Sequence, residues 1–114
     1  MYFKKNKLFI EKVDALKIVR KYGTPTYCYS LNRLRNNIRN FQQSFKSISP
    51  LICFSVKSNN NRQILKEIKK SGVGADVVSK GEMMQALKAG ILPKKIVFSG
   101  VGKKTEELKF AIEK

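Results

Sequence analysis

Apolar residues recur along this chain with two periods, one typical of helices and one typical of strands. Helical spacing, with an apolar residue every three or four positions, is clearest after Ser30, at Leu31, Leu34, Ile38, Phe41 and Phe45. Further runs with this spacing start near Val13, Ile64, Met83 and Thr105. Between them lie short apolar runs that favour strands, at 8–10, 26–29, 51–57, 74–78 and 96–99. Strands that alternate with helices predict an α/β protein with a parallel sheet, wound or closed into a barrel.

Small and polar residues mark where these elements begin and end. Glycine readily takes the left-handed conformation found at helix C-termini. A glycine follows each of three predicted helices, at Gly23, Gly72 and Gly90. Ser30 is a predicted N-cap, and Ser79 with Glu82 has the spacing of a capping box. The run at 8–10 is predicted to be an edge strand, with the first helix beginning at Val13.

The run 51–57 ends in a lysine that has the features of a reactive amine. Side chains alternate between the two faces of a strand, so Cys53, Ser55 and Lys57 share one face. Behind two small residues, Lys57 is expected to be partly buried, and burial shifts an amine towards its neutral, nucleophilic form. A Schiff-base lysine needs such an amine. On pattern alone the alternative is a solvated charge at the exit from the core, since the chain has 19 lysines.

The formal net charge of +16 suggests a nucleic acid or another anionic surface as a partner. However, the positive residues are spread along the whole chain and include only 5 arginines, the residue that base readout and bidentate phosphate contacts favour. Five of the eight acidic residues also fall in predicted helices beside lysines, as on a solvated face: Glu67, Glu82, Glu106, Glu107 and Glu113. Nucleic acid is therefore not the expected partner, and a small basic RNA-binding protein is the alternative outside enzymes.

The cysteine and histidine content restricts the chemistry and the compartment. Cys28 and Cys53 fall in predicted strands without CxxC spacing, which is typical of small buried residues in a reducing compartment. The chain has no histidine, so no histidine base or histidine metal ligand is available, and no metal site is expected. No long apolar run follows Met1, so we expect neither a signal peptide nor a transmembrane helix. The cytoplasm is the expected location.

Four segments together resemble one enzyme family. They are residues 22–30 (YGTPTYCYS), 54–59 (FSVKSN), 74–82 (GADVVSKGE) and 93–103 (PKKIVFSGVGK). In this order and spacing they are similar to the lead-in and the first three strand motifs of the pyridoxal-phosphate decarboxylases with the alanine-racemase fold. Members of this family act on diaminopimelate, ornithine or arginine.

The resemblance implies a role for two residues of the chain. Lys57 matches the lysine that binds pyridoxal phosphate, and the substrate amine displaces it before the cofactor ring takes up the electrons left by CO₂. Asp76 matches a carboxylate on the cofactor side of the barrel. It is expected to orient the Lys57 ammonium through a charge-assisted hydrogen bond, and the alternative is an ordinary strand-end cap.

The resemblance also bears on the substrate. The residues at 22–30 and 99–103 favour the members that convert meso-diaminopimelate to L-lysine and CO₂. Lys80 stands where those members commonly carry glycine, and a lysine there is more similar to the ornithine decarboxylases. Ser58 replaces the alanine or cysteine that often follows the family's lysine, a change that is expected to be tolerated. Ornithine and arginine therefore stay open as alternative substrates.

The implied fold is the N-terminal portion of a (β/α)₈ TIM barrel of the alanine-racemase type, incomplete in this chain. Residues 1–29 are the predicted lead-in, made of an edge strand, a helix and a strand. Residues 30–114 hold the first helix and the first three βα units of the cofactor-binding barrel. A complete barrel needs about 250 residues. The chain is therefore expected to be the first part of a longer protein and to be inactive alone. The resemblance implies that the full-length protein is a carboxy-lyase and a homodimer.

Overall fold

Eleven regular helices and strands make up the computed structural model, which describes all of residues 1–114. The strands are β1 (Tyr2–Lys4), β2 (Lys7–Ile10), β3 (Val13–Asp14), β4 (Cys53–Ser55), β5 (Gly74–Val77) and β6 (Ile96–Phe98). The helices are α1 (Ala15–Tyr22), α2 (Leu31–Ser44), α3 (Arg62–Lys70), α4 (Lys80–Lys88) and α5 (Thr105–Ile112). Residues 1–34 and 35–114 form two compact units. None of the helices combines the length and apolar character needed to cross a membrane.

The first unit contains an antiparallel sheet with the strand order β1-β2-β3. The predicted strand at 8–10 exists, but its assignment as an edge strand is wrong, because β2 has a partner on each side. The first helix begins at Ala15 and not at Val13, since Val13 pairs with Ile10 in the sheet. Asp14 ends the strand and caps the helix by accepting a hydrogen bond from the Leu16 N–H at 2.9 Å.

The segment 26–29 is not a strand, so this prediction is wrong. Its alternating aromatic residues suit an extended chain, but no strand lies beside it to complete a hydrogen-bonded ladder. Tyr27 is 90% exposed and Cys28 is also exposed, which contradicts the prediction of a buried cysteine. A regular helix resumes at α2, where the Ser30 hydroxyl accepts from the Arg33 N–H at 3.1 Å as predicted for an N-cap.

The second unit contains the predicted parallel sheet, with the strand order β4-β5-β6. Cys53 is paired with Gly74 and Ala75 with Ile96. The helices α3 and α4 connect successive strands, as in βα units, and both end before a glycine with positive φ, at Gly72 and Gly90. The Ser79 hydroxyl caps α4 through the Glu82 N–H, but the Glu82 carboxylate accepts from the Val78 N–H, one residue before the predicted partner.

The predicted strand at 51–57 is shortened to Cys53–Ser55, which changes the position of Lys57. Residues Val56–Ser58 form a 3₁₀ turn. The Ser58 hydroxyl donates to the Ser55 carbonyl at 2.7 Å, and the Asn59 N–H donates to the Val56 carbonyl at 3.0 Å. These local hydrogen bonds replace the ladder, so the chain turns before it reaches Lys57.

Packing around β5 forms the core of the second unit. The side chains of Ala75 and Val77 are fully buried, and so are those of Leu65 in α3 and Ala86 in α4. Burying a leucine or valine side chain contributes about 1.5–3 kcal/mol relative to leaving it exposed. The central strand and the two helices that follow β4 and β5 therefore form the buried core of the unit.

Two glycines are required by the close approach of neighbouring backbones. A Cβ atom at Gly74 would lie 2.2 Å from the Lys95 carbonyl oxygen and 3.0 Å from the Cys53 sulfur. A Cβ atom at Gly100 would lie 2.3 Å from the Val78 carbonyl oxygen. The distances to the two carbonyl oxygens are shorter than any stable non-bonded contact, so no other residue fits at either position without moving the backbone.

Glu67 is buried between two cations, contrary to the expectation of a solvated face. Its carboxylate pairs with the Lys70 ammonium at 2.9 Å and with the Arg35 guanidinium at 2.7 Å. Hydrogen bonds from Lys70 and then from Arg35 hold the pKa of the Glu67 carboxyl below its ordinary value. Because Arg35 lies in α2 and Glu67 in α3, this pairing joins the two helices.

We expect replacement of Glu67 by glutamine to remove part of the pH dependence of stability. The folded-state pKa lies below the unfolded value, so the stabilisation is present above the unfolded pKa and is lost as pH falls through the folded one. The Glu67→Gln variant should therefore have a lower Tm than the parent at pH 7, and the difference should shrink as the solution is acidified. Thermal unfolding across a pH series measures this, with Glu106→Gln on the exposed face of α5 as the control. If the Tm values of the parent and the variant differed by the same amount at every pH, the lowered pKa of Glu67 would be contradicted.

Candidate active site

Polar side chains collect where the three parallel strands end. In a barrel of parallel strands this carboxyl edge is where active sites are built. Ser55 is the last residue of β4 and is paired with Asp76 of β5. Asp76 is in turn paired with Val97 of β6, and Ser99 follows two positions later on the same face. The parallel register therefore brings two hydroxyls and one carboxylate to one edge of the sheet.

The Asp76 carboxylate is held on both sides by these hydroxyls. Its Oδ2 atom accepts a hydrogen bond from the Ser55 hydroxyl at 3.2 Å, and its Oδ1 atom accepts one from the Ser99 hydroxyl. Ser99 keeps its position because its N–H donates to the Val77 carbonyl at 2.9 Å, which extends the β5–β6 ladder by one bond. The carboxylate thus links three strands through side chains.

Lys57 stands just beyond this cluster, in the 3₁₀ turn after β4. Its side chain is exposed, so the expectation of a partly buried amine is wrong for these 114 residues. It makes no ion pair with Asp76. The structure brings the lysine and the carboxylate to the same edge of the sheet but does not join them directly.

Cys53 lies deeper on the same face as Ser55 and Asp76. Its sulfur is 3.9 Å from the Lys95 carbonyl oxygen, and it faces the space that Gly74 leaves open. Burial and then the negative charge of Asp76 raise the pKa of the Cys53 thiol. The thiol is therefore less easily ionised than an exposed cysteine and is not an activated nucleophile.

Lys80 is directed towards α5 by two contacts. Its ammonium lies over the Phe110 ring, 4.8 Å from the ring centroid. Its backbone N–H donates to the Glu107 carboxylate at 2.9 Å, and the Lys104 N–H donates to the other oxygen of that carboxylate at 3.1 Å. These backbone hydrogen bonds lower the pKa of the Glu107 carboxyl. The lysine thus takes part in packing between α4 and α5.

The sequence alone does not indicate that the two serines are site residues. Alternation along 51–57 placed Ser55 on the face that bears Cys53, which was the one available signal. The pairing of Ser55 with Asp76 depends on a register between segments 21 residues apart. The sequence pattern places Ser99 at the end of a strand, and nothing in a single sequence indicates which carboxylate its hydroxyl contacts.

A lysine that follows the first of three parallel strands, with a carboxylate near the end of the second, is the arrangement that the family resemblance implies. The chain belongs to the pyridoxal-dependent decarboxylases: the pyridoxal-binding domain of that family matches residues 31–114.

The relatives within the family are more specific. The diaminopimelate decarboxylase of Zymomonas mobilis is 42% identical over 113 residues, which are 96% of this chain and 27% of that protein. The crystal structure of the M. jannaschii diaminopimelate decarboxylase superposes with a TM-score of 0.94 at 34% identity, over 98% of this chain and 27% of that one. The Helicobacter pylori enzyme, crystallised with L-lysine, gives a TM-score of 0.83 at 39% identity, over 87% of this chain and 25% of that one.

These comparisons confirm the predicted fold, which is the N-terminal portion of an alanine-racemase-type barrel. Arginine and ornithine decarboxylases are also similar in structure but more distant, at 22–26% identity. The chain spans about a quarter of the length of the curated relatives that it matches. The division into a lead-in at 1–29 and a barrel segment at 30–114 stays a prediction.

Proposed function

We propose that this chain is the N-terminal part of a diaminopimelate decarboxylase, which converts meso-diaminopimelate to L-lysine and CO₂. The observation that carries the proposal is the 39–43% identity to enzymes of that name over 85–98% of the chain. The activity would belong to the full-length protein, meaning a chain of the length of these relatives that contains residues 1–114. A cytoplasmic location and a homodimer are parts of the same proposal.

The residues at the strand ends fit one end of pyridoxal phosphate. The cofactor aldehyde requires a primary amine, and the exposed Lys57 amine is free of ion pairs. When bound, pyridoxal phosphate supplies an electron-withdrawing ring that takes up the electrons released as CO₂ leaves. The chain's own contribution is to place an amine and a carboxylate at the carboxyl edge of one sheet.

Each of the two residues has a distinct proposed role. Lys57 would hold the cofactor and would carry a proton on its amine once the substrate has displaced it. Asp76 would attract that ammonium, because a carboxylate and an ammonium form a charge-assisted hydrogen bond. The exposed Lys57 side chain is long and has several rotatable bonds, so its amine can approach the carboxylate.

The nature of the side chain at position 80 no longer favours ornithine as the substrate. Lys80 was the one residue that resembled the ornithine decarboxylases, and its ammonium lies over Phe110 between α4 and α5. In that position the ammonium packs against α5. The identity to diaminopimelate decarboxylases is therefore the stronger indication of substrate.

We expect the full-length protein to release CO₂ from meso-diaminopimelate faster than from ornithine or arginine. Replacement of Lys80 by glycine should leave this order of preference unchanged, because it removes a contact to Phe110 and none to the strand ends. Turnover of the three amino acids, measured as kcat/KM with the parent and the variant, tests both statements. Equal or faster turnover of ornithine would contradict the substrate, and a preference that changes with Lys80→Gly would contradict the structural role of Lys80.

The alternative of an RNA-binding protein rests on the net charge of +16 alone. Electrostatic binding to RNA would weaken steeply as salt is raised. Such binding, together with no activity on any of the three amino acids, would favour that alternative.

A further inference from the structure

We infer that Ser55 and Ser99 are positioning residues that hold the Asp76 carboxylate in one orientation towards the lysine end of the sheet. The inference rests on the proposed function of Asp76. It concerns two hydroxyls from the strands on either side of the carboxylate, one hydrogen bond to each carboxylate oxygen.

The geometry favours an orienting role because an aspartate side chain otherwise rotates freely about its last bond. One donor would leave the carboxylate able to pivot, whereas donors on both oxygens from opposite sides fix its plane. A carboxylate has about four lone-pair sites, and the serines use two of them. The other two remain to accept hydrogen bonds from the ammonium of Lys57.

The hydroxyls are not needed to pair the strands. Backbone hydrogen bonds already join β4 to β5 and β5 to β6 in continuous register. The backbone N–H of Ser99 also donates a hydrogen bond to the Val77 carbonyl, which holds Ser99 in place. Because these backbone hydrogen bonds already join the strands, the serine hydroxyls are not required for strand pairing. We infer that their role is to orient the carboxylate.

The test uses single and double alanine variants at the two positions, made in the full-length protein. We expect Ser55→Ala and Ser99→Ala each to lower kcat about tenfold, the factor that corresponds to one hydrogen bond to a charged group, with KM changed less than twofold. Ser99→Thr keeps the hydroxyl at an exposed position and should restore kcat. Ser44→Ala removes a hydroxyl that donates to the Asn40 carbonyl on α2, and serves as the control.

A second set of variants asks whether the serines act through the carboxylate. In an Asp76→Ala background the two serine substitutions should have no further effect on kcat, because residues that act through one partner are not additive. The dissociation constant for pyridoxal phosphate is measured by absorbance titration of the cofactor-free protein. It should likewise not change further when the serine substitutions are added to Asp76→Ala. A full serine effect in that background would overturn the inference, and so would a lowered Tm with unchanged kcat.

A crystal structure of the cofactor-free double alanine variant decides the matter independently of catalysis. The expected result is an Asp76 carboxylate that has rotated or that occupies several orientations, between strands of unchanged register. A carboxylate still in its original single orientation would overturn the inference even in an active enzyme. Because this measurement needs neither substrate nor cofactor, failure of the proposed decarboxylation would not be mistaken for failure of the positioning role.

Discussion

Replacing Lys57 with alanine should lower decarboxylation by the full-length protein on the order of 10³-fold or more, the scale on which loss of a nucleophile reduces turnover. No other lysine lies as close to the carboxyl end of a parallel strand as Lys57 does. Once the substrate has displaced it, Lys57 is also the group that Asp76 would attract. The Tm should stay within a few degrees of the parent. Replacing an exposed side chain without hydrogen bonds changes the free energy of unfolding by no more than about 0.5 kcal/mol. Turnover and thermal unfolding of the same preparation measure the two effects.

Borohydride reduction of the cofactor-loaded protein identifies the lysine directly. Peptide mapping should find the reduced cofactor on Lys57, and the Lys57→Ala variant should lose the label. Lys88→Ala, in the last turn of α4, is the control and should keep both label and activity. Label on Lys80 or Lys103 would show that the lysine had been assigned to the wrong strand end.

Replacing Gly100 with alanine should destabilise the protein by about 2 kcal/mol or more, at the upper part of the range for overpacked sites. The added Cβ would meet the Val78 carbonyl at 2.3 Å, and a backbone atom cannot move aside as a flexible side chain can. The segment after β6 would have to shift, taking Ser99 with it. Turnover should therefore fall together with Tm.

Gly102 is a matched control two residues further along the same loop. An added Cβ there has no heavy atom within 4 Å, and its φ is not in the left-handed region. Gly102→Ala should leave Tm nearly unchanged or slightly raised, because alanine restricts the unfolded chain. If Gly100→Ala and Gly102→Ala had the same Tm, the close approach of the backbone at Val78 would be refuted.

Local chemistry explains which parts of the fold could be predicted. Helix α2 was predicted from apolar spacing and the Ser30 cap, since both act within a few residues. The segment 26–29 has the composition of a strand but no partner strand, and pairing is not encoded locally. The early turn at Val56 depends on hydrogen bonds of Ser58 and Asn59, which compete with the ladder.

The candidate site was predictable to the same extent. Lys57 and Asp76 could be identified through the family resemblance, because each lies in a distinct motif. The serines on either side of Asp76 and the pairing of Glu67 with Arg35 are contacts between distant segments. Only the register of the strands and the packing of α2 against α3 bring those side chains together.

The regular register of the sheet has a consequence for how the chain folds as it is synthesised. Cys53 pairs with Gly74 and Ala75 with Ile96, so each strand meets its neighbour after the same interval of 21 residues. At about 5–20 residues per second, a ribosome takes one to several seconds to deliver that interval. A helix forms in about a microsecond, so α3 and α4 have ample time to form and to pack against the preceding strand before the next strand emerges. The sheet can therefore grow one strand at a time, at the pace of translation.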